Sequence, residues 1–183
     1  MSRSKHSLPL FAAALVFAAP LAAQNPPDLS DPEVAHVAVT ANSIDIDAAK
    51  FAQTRTHNTA VKQFAATMIT DHTAVNQQAA ALATKLGVTP ADNAVSQSLQ
   101  ADAKKAHTAL ESLHGAAFDR AYMDREIAYH QAVLDAIDKV LIPTTDNAEL
   151  KQLLTNVRPA VAAHLDHAKQ VRSQLGAAAR TGK

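Results

Sequence analysis

The sequence predicts an all-α protein, an up-down four-helix bundle with an additional or bent helical segment. Three observations carry that expectation. Alanine dominates the composition, aromatics make up 4%, tryptophan is absent and only 4 glycines occur. A core must then be assembled from Ala, Leu, Val and Ile, which suits closely packed helices better than a sheet rich in β-branched and aromatic residues. Long stretches also place apolar residues at alternating steps of four and three, the spacing of a bundle seam. Finally, glycine and proline fall between those stretches, where helices stop.

The 183 residues suit one domain. Arg3 and Lys5 precede an apolar run, Leu8 to Ala19, shorter than the roughly 20 residues a bilayer span requires. Pro20-Leu21-Ala22-Ala23 then supplies small residues before Gln24. Residues 1–23 therefore read as a secretory signal peptide cut after Ala23. The mature protein is expected in the periplasm or outside the cell. No later segment is apolar enough to cross a membrane. Cleavage removes two cations and no acids, leaving 15 Lys and Arg against 17 Asp and Glu, a formal charge of −2. The remaining cations are scattered, which argues against a nucleic-acid partner. The chain has no cysteine, excluding disulfides, thiolate metal sites and a lipid-modified cysteine.

Residues 24–30 form a proline-rich leader expected to be disordered, 31–176 the bundle domain and 177–183 a flexible tail. Asp31 is the expected cap of the first helix, with Pro32 at its first position and Glu33 complementing the dipole; the helix extends to about Thr56. Asn58 caps a second helix with the seam Val61, Ala65, Met68, His72, Val75, Ala79, Leu82 and Leu86, stopped by Gly87. Asp92 opens a third stretch carrying Val95, Leu99, Ala106, Leu110 and Leu113. A fourth, from Ala116 to about Ile142, carries Met123, Ile127, His130, Leu134, Ile137 and Leu141. As one straight helix, residues 92–142 would reach about 75 Å against about 40 Å for the others, so a bend or break is expected at Gly115. Asp146 is the expected cap of the last helix, with Leu150, Leu154, Val157, Val161, His164, Ala168, Val171 and Leu175 in step, a kink at Pro159 and an end at Gly176.

Each long helix points one metal-competent side chain inward. His72, His130 and His164 interrupt three of the seams, and Asp45 interrupts the first helix's seam of Val34, Ala38, Ala41, Ala48 and Ala52. Asp71 and Glu126 stand beside them as candidates to orient those ligands from behind, Glu126 sharing a helix face with His130. Imidazole and carboxylate together suit iron, zinc, copper or manganese, and bundle interiors are where such sites are built. Interior glutamates are too few for a di-iron centre, so a mononuclear site is favoured. Counting from the turns, Asp45 and His72 differ in level by about 5 Å, and His130 and His164 by about 9 Å. The alternative is a buried polar layer that fixes register between helices. His36, His57, His107, His114 and His167 are expected at the surface. Phe118 and Tyr122 read as core packing, and Asp119 as a dipole partner near a helix start. No serine elbow or glycine-rich phosphate loop occurs.

Several segments taken together resemble a known family. They are Asn42-Ser43-Ile44-Asp45-Ile46, Phe64-Ala65 with Met68 and Asp71-His72, Gly115-Ala116-Ala117-Phe118-Asp119 with Tyr122, then His130, Pro159 and His164. The family is the exported bacterial domain of unknown function numbered four-one-four-two, also labelled an outer-membrane protein, and the resemblance spans about residues 31–175. It implies a ferritin-like bundle and export, with no established activity. The family usually carries Glu where this chain has Asp45. No barrel-like strand pattern supports the outer-membrane label. Two functions remain open: a metal-binding or stress-related protein using Asp45, His72, His130 and His164, or a non-catalytic envelope scaffold with an envelope partner or self-association. A metal-dependent oxidoreductase is a third class.

Overall fold

A computed structural model describes residues 27–181, and every regular element among them is helical. The expected signal peptide, and all of the leader before Pro27, lie outside the described residues. The elements are α1 (Asp31–Arg55), α2 (Thr59–Leu86), α3 (Ala94–Glu111), α4 (Gly115–Ala136), a π-helical turn (Ile137–Leu141), α5 (Ile142–Thr144) and α6 (Ala148–Thr181). α1 packs along α2 and α4 along α6; α2 lies against α6, and α3 lies on α1 and α4. The bundle is thus α1, α2, α4 and α6, with α3 as the additional helix.

Every predicted helix is present, but its ends are set differently. α1 is capped by Ser30 rather than Asp31: the Glu33 carboxylate accepts from the Ser30 N–H at 2.9 Å and from its hydroxyl at 2.6 Å, a capping box. Asp31 is drawn off to accept the backbone N–H groups of Asp146 and Asn147, both at 2.9 Å. Asn58 caps α2 as expected, and Gly87, at φ 64°, ends it in the left-handed conformation. Asn93 rather than Asp92 caps α3, and Asn147 rather than Asp146 caps α6. The break falls at Ser112–His114, with Gly115 at φ 53° opening α4.

The stretch expected to end near Ile142 ends at Thr144, as α4, a π turn and α5 in succession. Pro143 has no N–H to return to the preceding turn, and the helix widens into the π turn just before it, then continues to Thr144. α6 runs unbroken past Pro159 and is not stopped by Gly176, continuing to Thr181. Among the described residues, no helix is long and apolar enough to cross a membrane.

Two core clusters fill the bundle. One gathers Phe64, Met68, Phe118, Tyr122 and Met123, all fully buried. The other gathers Val34, Leu134, Leu141, Leu154 and Leu165 near the opposite end. Phe118 and Tyr122 pack in the first as expected, stacked at 6.2 Å between ring centroids. Asp119 is not a dipole partner alone; it is buried and accepts from the Thr56 hydroxyl at 2.5 Å, tying the α1–α2 connection to α4.

Candidate metal centre

Between the two clusters lies a polar layer. Asp45 on α1, His72 on α2, His130 on α4 and His164 on α6 are all buried there. The three imidazoles meet as a triangle, with centroid separations of 5.2 Å (His72–His164), 5.5 Å (His130–His164) and 5.8 Å (His72–His130). The level mismatch between His130 and His164 shrinks because the stretch after His130 runs on to Thr144 and α6 begins only at Ala148. His130 stands 14 residues before Thr144 and His164 stands 16 residues after Ala148, a difference of about 3 Å along the helix.

The far nitrogen of each ring is already engaged. His130 Nδ1 lies 2.9 Å from the Glu126 backbone carbonyl, which can only accept, so the proton sits on Nδ1. His72 Nδ1 lies 2.7 Å from Asn42 Oδ1, and His164 Nε2 lies 2.9 Å from the Asp71 carboxylate. Those acceptors fix the tautomers of the neutral rings. His72 Nε2, His130 Nε2 and His164 Nδ1 then carry lone pairs, and all three are buried without a hydrogen-bond partner. One ligand atom from each ring lies within 4.8 Å of the others. Asp45 Oδ2, also without a hydrogen-bond partner, stands 3.2 Å from His72 Nε2 and 3.9 Å from His130 Nε2. Three imidazole nitrogens thus converge, with Asp45 Oδ2 beside two of them and no N–H group among the four atoms. Such an arrangement is costly in a low-dielectric interior unless a cation or proton sits between them.

The protons are not readily supplied by the rings. Burial pushes the His130 imidazole down to about 4, outweighing the pull of Asp45. Burial likewise lowers His72 against the same pull.

Arg125, which the seam pattern did not single out, is a buried cation beside this layer. Its guanidinium donates to Asp45 Oδ1 at 3.0 Å and Glu126 Oε1 at 2.5 Å, and lies 4.3 Å over the Tyr129 ring. Burial disfavours its charge, yet the Glu126 and Asp45 carboxyls hold its pKa above the ordinary value. Burial would raise Asp45 too, but Arg125, His130 and His72 bring it below the usual range. Glu126 is raised well above its ordinary value, by burial and by Asp45, despite Arg125. Asp45 and Glu126 thus share one buried guanidinium. Asp45, Glu126 and His130 also form a compact ligand group. There Arg125 already stands as the cation, so the structure favours the three-imidazole group for an external ion. Asn42 was likewise missed as an orienting partner. The signal for Arg125 was its place at three and four residues from Tyr122 and Tyr129, both buried.

The remaining histidines stand apart. His57, His107 and His114 are exposed, and His36 and His167 are half-buried. The Glu-x-x-His runs Glu33 to His36 and Glu111 to His114 lie away from this interior: Glu33 caps α1 and Glu111 is exposed.

The model of the domain of unknown function DUF4142 matches residues 16–171. The chain belongs to this family. No curated protein matches the sequence. Among solved structures, one described as CopM in the Cu(II)-bound form is similar at 15% identity, with a TM-score of 0.60, covering 81% of this chain and 99% of that one. That likeness shows a shared helical fold.

Proposed function

We propose that this DUF4142 protein binds one transition-metal ion inside the bundle, with copper(II) the favoured metal. His72 Nε2, His130 Nε2 and His164 Nδ1 are the ligands and Asp45 Oδ2 the fourth. The observation that carries the reading is the convergence of three buried imidazole nitrogens without hydrogen-bond partners, with Asp45 Oδ2 beside two of them. Asn42, the Glu126 carbonyl and Asp71 hold the rings from behind, as orienting partners of metal-bound imidazoles do. Nitrogen ligands suit copper and zinc, and copper(II) heads the affinity order of the divalent first-row metals. The similar fold of a protein solved with Cu(II) bound supports the same choice. The basic, apolar and small-residue pattern of residues 1–23 supports action outside the cytoplasm, periplasmic or secreted.

Titration of metal-free protein with copper(II), followed by calorimetry and electron paramagnetic resonance, tests this. One copper per chain with a nitrogen-rich signal is expected. Copper at a hundred times its Kd stabilises the fold by about 2.7 kcal/mol, read as a rise in Tm. His72→Ala and His130→Ala abolish both responses. No uptake of copper, zinc, iron or manganese would sink the proposal.

A second reading draws on Arg125. With Asp45 and Glu126 it forms an ion network that could specify helix register in a non-catalytic scaffold. On that reading His164→Ala destabilises the fold and chelators change nothing.

A further inference from the structure

The seam of α2 changes character beyond His72. Val75, Ala79, Leu82 and Leu86 continue its spacing but are only half-buried. Between them and the first half of α6 lies a cleft of about 670 Å³. That volume is within the range of small-molecule sites, roughly 300–1,000 Å³. Small side chains give it room: Ala38 on α1, with Ala79 and Ala83 on α2, line it together with Leu150 and Leu154 on α6. Along α2 the cleft spans the 14 residues from His72 to Leu86, and along α6 the 14 from Leu150 to His164. Each stretch is about 21 Å long, the reach of an extended chain of roughly sixteen carbons.

The walls are mostly aliphatic, and the formal charges among them are negative. Asp71 stands at the inner end and Asp31 at the outer end, and no Lys or Arg lines the cleft. Asp31 spends both oxygens on the backbone N–H groups of Asp146 and Asn147. Asp71 spends only Oδ2, on the ring N–H of His164 at 2.9 Å. Its Oδ1 has no hydrogen-bond partner among the described residues, and its side chain is 45% exposed. The donors on both carboxylates are uncharged, so the two negative charges stand. His72, the other ring at the inner end, is kept neutral by burial. Lys85, next to the lining residues Thr84 and Leu86, is paired with Glu149.

We propose that this cleft binds a single-chain cationic amphiphile, a long-chain alkylammonium, with its chain along the aliphatic walls and its head at Asp71. The inference goes beyond the metal-binding reading and does not rest on it. Charge complementarity selects the head: a cation meets a reachable carboxylate at the inner end, whereas an anion would meet two carboxylates and no cation. Asp71 rather than Asp31 receives it, because only Asp71 has an oxygen to spare. The walls select the chain, since each CH₂ taken from water against aliphatic side chains adds to the affinity. The volume selects a single chain. A helical peptide about 10 Å across and about 21 Å long would occupy roughly 1,600 Å³, more than the cleft holds.

Calorimetric titration of the full chain with hexadecyltrimethylammonium, below its micelle concentration and with a chelator present, tests this separately from the metal site. One molecule per chain is expected. Palmitate and hexadecyl maltoside carry the same chain on a negative and an uncharged head, and should bind at least tenfold more weakly. Tetramethylammonium, a head without a chain, should give no binding heat. Asp71→Asn removes the charge and should weaken hexadecyltrimethylammonium binding about tenfold without weakening that of the maltoside. Ala79→Phe fills the aliphatic part and should weaken binding tenfold or more while the helical circular dichroism is unchanged. Ala83→Phe gives an independent filling should Ala79→Phe misfold. No binding, or equal or tighter binding of palmitate or the maltoside, overturns the inference. So does binding indifferent to Asp71→Asn or to both filling variants, and so does uptake of many molecules per chain with loss of the helical signal.

Discussion

The two ends of the bundle obey the same sequence rhythm and reach different outcomes. At one end Phe64, Met68, Phe118, Tyr122 and Met123 are wholly buried, and Phe64 meets Tyr122 edge-on at 6.3 Å. At the other, Val75, Leu82, Leu86 and Val157 stay half-buried around an open cleft. The seams of α2 and α6 run through both ends without a change of period. Spacing fixes which way a side chain points; side-chain volume decides whether the facing helix comes close enough to cover it. The histidine layer lies on the boundary, with His72 and His164 at the inner end of the cleft.

The sharpest way to break this comparison is to truncate an equivalent residue at each end. Phe64→Ala is expected to cost about 3–5 kcal/mol, because the ring is enclosed on all sides. Leu82→Ala in the cleft wall should cost less than about 1 kcal/mol, since solvent already reaches its side chain. Urea unfolding of both variants measures the difference, and equal losses would mean that the cleft is closed in solution.

The boundary layer comes next. Arg125→Met leaves the buried Asp45 carboxylate unpaired and is expected to cost about 3 kcal/mol. Adding Asp45→Asn should recover part of that loss; a double variant no better than the single one would deny the pairing its role.

Acid gives the most diffuse effect. In metal-free protein His130 holds its proton only near pH 4, whereas the unfolded chain takes one up near 6.5. Between those values the unfolded state binds more protons, so stability falls as pH drops from about 6.5 to about 4, and His130 adds no further loss below that. His72, lowered in the same direction, adds to the decline. Melting curves across this range should show it, with a shallower slope in His130→Gln; an unchanged slope would place the acid response elsewhere.

Much of this architecture was legible in the residues. Four interior-pointing polar side chains, one per long helix, were visible as interruptions of apolar seams, and the break near Gly115 followed from length alone. Asn58 caps α2 as expected, but the other three caps were each misplaced by one residue. Asp31, Asp92 and Asp146 are good caps by type, but the neighbouring Ser30, Asn93 and Asn147 hold the geometry. Asp31 and Asp92 are spent on other donors, among them the Ser96 hydroxyl and the Gln97 amide for Asp92. The common level of the histidines depends on α4 continuing through the π turn to Thr144, which Pro143 hides from any reading that stops helices at proline. Arg125 escaped because arginine belongs at the surface by composition, and only the carboxyls of Asp45 and Glu126, on two different helices, make its burial tolerable.

The clasp between Asp31 and the backbone of Asp146 and Asn147 joins groups 115 and 116 residues apart. A ribosome or a translocation pore releases the chain from its N-terminus, so α1 emerges long before the partner of its first residue. The inward side chains are just as widely spread, from Asp45 to His164, and no nascent fragment brings them together. Folding must therefore wait for the last helix, as closing so long a loop delays every contact that depends on it. The histidine layer is therefore completed only when the last helix has joined the other three.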